Sequence, residues 1–289
     1  MKKILLIGSR GFTGRYVLAE LRATGNVDLV EAHTHQLDIK NTAQFGQIVE
    51  QVNPDCIVNL AAVSTLSVDD IENIYELNAL AVIRAWQWLK DAGFSGRFIQ
   101  ASSAYVYGDH TPDPIRETQA LRPTSHYACA KAMTDQVADL YRPELDIIIA
   151  RPFNCIGLGH GNSFLIPKII DHFKTNKPQI ELGTLTHRRD FVDIRDIAAM
   201  YHTIIETSNP ESVFNFANGY GTSVADIISL MEQITGQTIK VKSMGKLVRQ
   251  QDNPLMVADI SNLKKLGFKP QYSLEDTLRW MLAADRTAP

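Results

Sequence analysis

The sequence has little of what marks several functional classes. Its cysteines, Cys56, Cys129 and Cys155, are odd in number and show no metal-binding spacing, so we expect reduced thiols. No block of lysine and arginine occurs and the formal net charge is −3, which argues against nucleic acid as the main partner. No apolar run approaches a membrane span, and the run at 4–7 is too short for a secretory signal. We therefore expect a soluble, cytoplasmic protein with small-molecule ligands and no membrane partner.

What is present is the composition of an ordinary globular protein, with 45% hydrophobic and 21% charged residues. Through the first half of the chain, apolar runs alternate with segments of helical periodicity. We predict strands at 4–7, 27–32, 55–62, 97–102 and 146–150, and helices at 15–21, 42–52, 69–92 and 127–141. Such alternation predicts an α/β fold built on a doubly wound parallel sheet of the Rossmann type.

From residue 151 onward the alternation weakens. We predict short strands at 179–182 and 213–217, and helices near 164–174, 194–206, 223–235 and 274–282. No low-complexity linker separates the two parts, so we expect residues 1–150 to form a dinucleotide-binding domain, to which parts of later segments return. Residues 151–289 would form a smaller α/β substrate lobe folded onto it. Ligands of such sheets lie beyond the carboxyl ends of the strands, here between the lobes.

Three glycines, Gly8, Gly11 and Gly14, follow the first predicted strand at intervals of three residues. Glycines allow a tight turn and a close approach of a helix N-terminus to a ligand, where free N–H groups and the helix dipole favour an anion. The spacing therefore indicates a site for the pyrophosphate of a dinucleotide. The alternative is an ordinary strand-turn-helix with glycines in it by chance.

Tyr127 and Lys131 stand four residues apart, on one face of a predicted helix. A phenol with a pKa of about 10 exchanges protons poorly at neutral pH, whereas a nearby ammonium favours the phenolate and lowers that pKa. Ser103 stands at the end of the strand 97–102, where its hydroxyl can hydrogen-bond the same substrate oxygen. A Tyr-x-x-x-Lys pair alone occurs often by chance. The glycine turn, the serine and the pair in this order indicate a catalytic site.

In this order, these motifs resemble the extended short-chain dehydrogenase/reductases of the nucleotide-sugar epimerase/dehydratase family, over essentially the whole chain. The resemblance implies catalysis by Ser103, Tyr127 and Lys131, NAD(P)H as cofactor and a nucleotide sugar as substrate. It implies cofactor contacts for Gly8, Gly11, Phe12, Thr13, Gly14, Asp38, Ile39, Leu60, Ala61, Ala62, Asn78, Tyr127, Lys131 and Pro152. It implies substrate contacts for Ser103, Tyr105, Asn154, Arg189 and Arg249.

The choice between NAD and NADP stays open. The second predicted strand ends in Glu31 and Ala32, without a clear acidic residue for the adenosine ribose and without an arginine for a 2′-phosphate. Glu31 is equally compatible with a ribose contact and with an exposed charge at the sheet edge. We expect no metal site, and His33 and His35 give no indication of one.

Within the family, residues 150–159 and 182–191 are similar to the branch containing GDP-4-keto-6-deoxy-mannose reductases and GDP-mannose dehydratases. Dehydratases that resemble this chain carry a carboxylate in one or both of the two positions after the catalytic serine or threonine. Here Ala104 and Tyr105 stand there, which argues against a dehydratase and leaves a reductase as the leading prediction. Reductases of the branch often carry an acidic residue where Tyr105 stands. A 4-epimerase is the alternative within the same class, and a non-catalytic dinucleotide-binding regulator is the alternative in another class.

The predicted helices 69–92 and 127–141 have more apolar surface than one face of a sheet can cover. Family members pair through the corresponding helices. We therefore expect a homodimer built on a contact of four helices.

Overall fold

The structure is a computed structural model that describes residues 1–32, 37–63, 70–108, 114–161, 164–208, 211–244 and 253–284. Its strands are β1 (Lys2–Ile7), β2 (Val27–Ala32), β3 (Cys56–Asn59), β4 (Arg97–Ala101), β5 (Asp146–Pro152), β6 (Asn154–Ile156), β7 (Gln179–Leu182), β8 (Arg188–Arg189), β9 (Phe191–Asp193), β10 (Val213–Phe216), β11 (Thr222–Ser223), β12 (Lys240–Ser243) and β13 (Leu255–Met256). Its α-helices are α1 (Phe12–Thr24), α2 (Thr42–Val52), α3 (Ile71–Tyr75), α4 (Ala81–Asp91), α5 (His126–Tyr141), α6 (Leu165–Lys174), α7 (Ile194–Glu206), α8 (Val224–Thr235), α9 (Ser261–Lys265) and α10 (Leu274–Ala283).

A parallel sheet forms the centre of the described part, with the strand order β10-β5-β4-β3-β1-β2. One face packs against α1 and α7, and the other against α2, α4 and α5. Because both faces are covered, the inner strands are apolar on both sides, as in residues 4–7, which are all buried. The predicted α/β class with a doubly wound parallel sheet is confirmed.

A second apolar core lies outside the main sheet. It joins α6, α8 and α10 with the two-stranded parallel sheet of β7 and β12. The small strands β8, β11 and β13 form a further sheet, and β6 pairs with β9. Strands of two or three residues carry no periodic pattern, which explains why the sequence did not predict them.

The last strand of the main sheet comes from late in the chain. The sequence grouped residues 213–217 with the C-terminal part, but β10 pairs in parallel with β5 in the main sheet. The helix α7 likewise packs against α1 and covers the main sheet. These are later segments of the kind that the sequence analysis expected to return to the first domain.

The helix predicted over 69–92 is present as one continuous helical run over residues 71–91, but it is not α-helical throughout. The described part contains α3, then a π-helical turn at Glu76–Leu80, then α4. Asn78 lies in the π turn, is fully buried, and exchanges two hydrogen bonds with the backbone of Val63, at 3.1 and 3.0 Å. The wider turn goes with this tertiary contact, which a helical periodicity cannot report.

Among the described residues, no helix has both the length and the apolar character needed to span a lipid bilayer.

Candidate active site

The glycine turn between β1 and α1 is packed too tightly for side chains. Gly8 has φ +84°, and a Cβ there would lie 2.7 Å from the amide nitrogen of Ala61. A Cβ on Gly14 would lie 2.1 Å from the carbonyl oxygen of Gly8. Gly11 precedes the first residue of α1 and offers no capping side chain, so the N–H groups of Phe12 and Thr13 face no side-chain acceptor from that position. The turn therefore presents a helix N-terminus to an anion.

One side chain in this turn supports the fit of a phosphate-bearing cofactor. Ser9 is 2% exposed, and within the described residues its hydroxyl oxygen has no hydrogen-bond partner. A buried hydroxyl without a partner is costly, so a ligand that hydrogen-bonds it would relieve that cost. Together with the cradle that Gly8 and Gly14 keep open, Ser9 fits the pyrophosphate of NAD(P).

The residues predicted to hold the adenosine half lie in two segments near this turn. Ala61 contacts Gly8 directly, and its N–H donates to the side chain of Asn59 at 3.2 Å. Leu60 and Ala61 are partly buried, whereas Ala62 is exposed. Ile39 is buried, and the Asp38 N–H donates to Gln44 at 2.8 Å while its carboxylate accepts from the N–H of Lys40 at 3.0 Å.

Glu31 is a paired charge in the structure. Its carboxylate forms an ion pair with Arg22 near the end of α1. The following residues, including His33 and His35, lie outside the described residues. The structure therefore leaves the choice between NAD and NADP open at this strand end.

Ser103, Tyr127 and Lys131 come together beyond the carboxyl end of β4. Ser103 follows that strand and is buried, while Tyr127 stands in the first turn of α5, which Ser125 caps. Burial raises the pKa of Tyr127 to about 12, against the lowering effect of a hydrogen bond with Ser103. The sequence analysis expected a lowered pKa for this phenol, and the structure corrects that: the phenol is protonated at neutral pH.

Lys131 lies one helical turn further along α5 and is 1% exposed. Its ammonium donates to the carbonyl oxygen of Ala101 at 2.8 Å and lies 6.0 Å from the centre of the Tyr127 ring. Burial lowers the pKa of Lys131 to about 8, because the charged form loses its hydration. The lysine thus carries its charge up to mildly alkaline pH and loses it above.

Two further predicted cofactor contacts flank this group. Asn78 projects from the π turn and binds the backbone that follows Ala62. Pro152 ends β5, the strand beside β4, so it reaches the same edge of the sheet.

Phe12, in the glycine turn, stacks on His160 with ring centroids 4.2 Å apart, and Phe164 stacks on the other side of that histidine at 3.8 Å. No pattern in the sequence indicates this stacking of three rings.

The predicted substrate residues lie around the same edge. Tyr105 is 37% exposed, in the short 3₁₀ helix that follows Ser103. The side chain of Asn154 donates to the backbone oxygen of Asp190 at 3.2 Å. Arg189, which precedes Asp190 in the chain, lies in β8. Arg249 lies outside the described residues.

Asp190 itself is buried and is not a substrate-facing charge. Its two carboxylate oxygens accept the N–H groups of Asn218 at 2.9 Å and Gly219 at 2.8 Å. Burial nevertheless raises the pKa of Asp190 to about 6. Its position anchors the loop after β10 beside Arg189.

A buried ion pair was missed by the sequence reasoning. The family resemblance implies a cofactor contact for Pro152 and a substrate contact for Asn154, but the side chain of the preceding Arg151 points into the protein. Its Nε donates to Asp135 at 2.7 Å, and both residues are about 5% exposed. The signal available in the sequence was the spacing of Tyr127, Lys131 and Asp135, each four residues after the previous one.

Comparisons with known proteins agree with this geometry. The model of the NAD dependent epimerase/dehydratase family matches residues 4–217. The chain is 28% identical over 263 residues to the GDP-6-deoxy-D-talose 4-dehydrogenase of Aggregatibacter actinomycetemcomitans, covering 90% of each chain. It is 24% identical over 298 residues to the GDP-6-deoxy-D-mannose reductase of Pseudomonas aeruginosa, covering 98% of this chain and 96% of the other.

The fold is also similar to a solved structure, that of RMD from Pseudomonas aeruginosa complexed with NADPH. The TM-score is 0.86 at 24% identity, over 98% of each chain. The family match runs from within β1 to the end of β10, and includes the glycine turn and the Tyr127–Lys131 pair. The predicted cofactor class, NAD(P), is confirmed for the family. The chain belongs to the NAD dependent epimerase/dehydratase family of enzymes.

Proposed function

We propose that this protein uses NAD(P)H to reduce the C4 keto group of a 4-keto-6-deoxy nucleotide sugar. The observation that carries the proposal is the grouping of Ser103, Tyr127 and Lys131 in a site where Ala104 and Tyr105 follow the serine. Ser103, Tyr127 and Lys131 supply proton transfer at a carbonyl oxygen. Neither Ala104 nor Tyr105 supplies a carboxylate.

The chain's own residues would divide the work as follows. The glycine turn would bind the pyrophosphate, and Asp38 with Ile39 would bind the adenine. The bound cofactor supplies the hydride that adds to the keto carbon. Tyr127 donates its phenolic proton to the keto oxygen, and Ser103 hydrogen-bonds that oxygen and orients it. The ammonium of Lys131 stabilises the tyrosinate that remains.

Dehydration requires more groups than this site offers. A 4,6-dehydratase removes the proton on C5 and protonates the departing C6 hydroxyl, which takes an acid and a base in addition to the tyrosine. Ala104 is 3% exposed and transfers no proton, and Tyr105 is the single titratable side chain of the two. This supports reduction over dehydration.

The names of the two relatives support a particular sugar. Both names contain a GDP-linked 6-deoxyhexose. The two sugars, talose and mannose, differ only in their configuration at C4. Oxidation of either sugar at C4 therefore gives one and the same ketone. We propose GDP-4-keto-6-deoxy-mannose as the substrate, with Arg189 and Arg249 binding its diphosphate through their planar guanidinium groups.

A reductase consumes its cofactor, whereas an epimerase recycles one tightly held molecule. We expect one NAD(P)H to be oxidised for each GDP-4-keto-6-deoxy-mannose converted, with the cofactor exchanging freely. The absorbance of reduced nicotinamide gives the amount of NAD(P)H oxidised. Mass spectrometry of the sugar nucleotides gives the amount of keto sugar converted. The proton coupling between H3 and H4 in the product then distinguishes the talose from the mannose configuration.

The same assay with UDP-glucose and GDP-mannose serves as the control for nucleotide and sugar. Sustained conversion of a sugar without net loss of reduced nicotinamide would overturn the reductase and favour the 4-epimerase. No conversion of any nucleotide sugar, with NAD(P)H still bound, would favour a binding protein.

We also propose that the protein forms a homodimer through α3, the π turn, α4 and α5. These helices carry exposed large apolar side chains, Ile71, Leu80 and Leu140, which are 38%, 40% and 72% exposed. Such side chains on neighbouring helices favour burial against a second copy.

Light scattering at micromolar concentration should give a dimer mass for the unaltered protein. Leu140→Asp should shift it towards the monomer, because the dimer would bury an unpaired charge. Leu140→Met, which keeps the apolar surface, should remain dimeric. A monomer mass for the unaltered protein would contradict the expectation.

A further inference from the structure

Tyr127, Lys131 and Asp135 follow one another at intervals of four residues along α5, so they lie on one face of that helix. Within the described residues, the buried ammonium of Lys131 donates a single hydrogen bond, to the backbone of Ala101. A neutral carbonyl oxygen offsets only part of the cost of burying a charge. The site therefore needs another source of negative potential to keep the lysine charged.

Asp135 supplies that potential. Burial raises the pKa of its carboxyl, and the charge of Arg151 opposes this by favouring the ionised form. The guanidinium of Arg151 donates from Nε to the Asp135 carboxylate at 2.7 Å. It also donates to the hydroxyl of Tyr107 and to the backbone oxygen of Glu117, both at 2.8 Å. Because an arginine keeps its proton in proteins, it favours the ionised carboxylate even in a buried place.

Further hydrogen bonds fix this pair in position. The Tyr107 hydroxyl donates to the side chain of Asn215 in β10 at 2.6 Å, and the Asn215 N–H donates to the Glu117 carboxylate at 3.0 Å. The network thus joins α5, the 3₁₀ helix, β5 and β10. The network lies directly behind the Tyr127–Lys131 pair, and Asp135 is buried within it.

We propose that Asp135 is a positioning residue, which acts through Lys131: held by Arg151, its carboxylate keeps the lysine protonated beside Tyr127. This rests on the proposed function of Tyr127 as proton donor. The lysine would otherwise lose its proton near neutral pH and leave the tyrosinate without a counter-charge. No substrate contact is required of Asp135.

Other titratable and charged groups are near enough to influence the same site. They are Tyr105 and Tyr107 from the 3₁₀ helix, Arg151 from β5, Cys155 from β6, Glu117 from the segment before α5, Tyr201 from α7 and Arg142 after α5. Among the described residues, Asp135 raises the pKa of Lys131, against the larger effect of burial. Burial raises the pKa of Tyr107 and the pKa of Cys155 to about 12, so both side chains stay neutral.

The pKa of Lys131 is about 8 with Asp135 present. In Asp135→Asn the favourable charge is gone and burial remains, so the pKa of the lysine should fall by about 1 unit. Asp135→Glu keeps the charge and should restore most of the original value.

The test is a ¹³C NMR titration of the full chain with lysine labelled at Cε. Lys131→Arg, which lacks the signal, assigns the Lys131 resonance. Asp135→Asn should titrate at lower pH than the unaltered protein. Tyr107→Phe is the matched control, since it removes two buried hydrogen bonds of the same network and leaves the Asp135 charge in place. Its Lys131 resonance should titrate as in the unaltered protein.

Asp135→Asn leaves Arg151 buried without its partner and so carries a risk of unfolding. The double variant Asp135→Asn/Arg151→Gln removes both charges and should also show the lowered lysine pKa. An unchanged Lys131 titration in whichever of these variants folds would overturn the proposal, and a purely structural role would remain.

Turnover gives a second readout that separates this inference from the proposed function. In Asp135→Asn the alkaline limit of kcat should move down by the same amount as the lysine pKa, with KM nearly unchanged. A lowered lysine pKa without any sugar reduction would leave the inference standing and refute the substrate. A loss of turnover with an unshifted lysine would refute the inference alone.

Discussion

Tyr127→Phe should lower turnover by roughly 10²–10⁴-fold, the range typical of a lost general acid. The variant lacks only the phenolic hydroxyl, so the keto oxygen would accept the hydride's charge without receiving a proton. The ring keeps its volume on α5, and Lys131 keeps its bond to Ala101, at 2.8 Å. The rate of NAD(P)H oxidation with the keto sugar measures the effect.

Cofactor binding should survive in the same variant, and a fluorescence titration with NAD(P)H tests this. Tyr105→Phe is the matched control, because it removes the hydroxyl of a tyrosine in the same site that is 37% exposed. We expect a much smaller effect from it. Near-normal turnover in Tyr127→Phe would remove this tyrosine from the mechanism.

Gly14→Ala should abolish tight cofactor binding. The new Cβ would lie 2.1 Å from the carbonyl oxygen of Gly8 and 2.8 Å from Cα of Ser9, and both are backbone atoms that cannot rotate away. The start of α1 must therefore move away from β1, and its N–H groups move with it. We expect a loss of at least about 100-fold in affinity for NAD(P)H, or about 3 kcal/mol. Isothermal titration measures it.

Gly11→Ala is the control within the same turn. Its Cβ would lie 3.3 Å from the same carbonyl oxygen, a tight contact that a small adjustment relieves, and its φ of −66° suits alanine. Both the melting temperature and the affinity should fall less than in Gly14→Ala. An unaltered affinity in Gly14→Ala would show that the close packing of this turn is not needed for binding.

Much of the fold could be predicted because a parallel sheet covered on both faces produces continuous apolar strands. The helix predicted at 42–52 has the bounds of α2, and the helix predicted at 194–206 has those of α7. The grouping of Ser103 with Tyr127 and Lys131 followed from topology, since the carboxyl ends of parallel strands meet at one edge. Their catalytic roles stay predictions.

What could not be predicted depends on contacts between distant residues. The π turn goes with a bond between Asn78 and Val63, fifteen positions apart. Arg151 is buried because Asp135 pairs with it, and nothing near Arg151 in the sequence indicates that partner. The pairing of Glu31 with Arg22 likewise depends on how α1 lies against β2. Periodicity describes one element at a time and contains no information about such pairs.

The late arrival of β10 in the main sheet has a consequence during synthesis. The outer edge of β5 pairs with β10, and about 60 residues separate the end of one strand from the start of the other. At translation rates of roughly 5–20 residues per second, β10 is synthesised about 3–12 s after β5. Until then an unpaired apolar strand edge is open to other chains. The nascent protein is therefore most vulnerable to aggregation in this interval, when chaperones that bind exposed strand edges would protect it best.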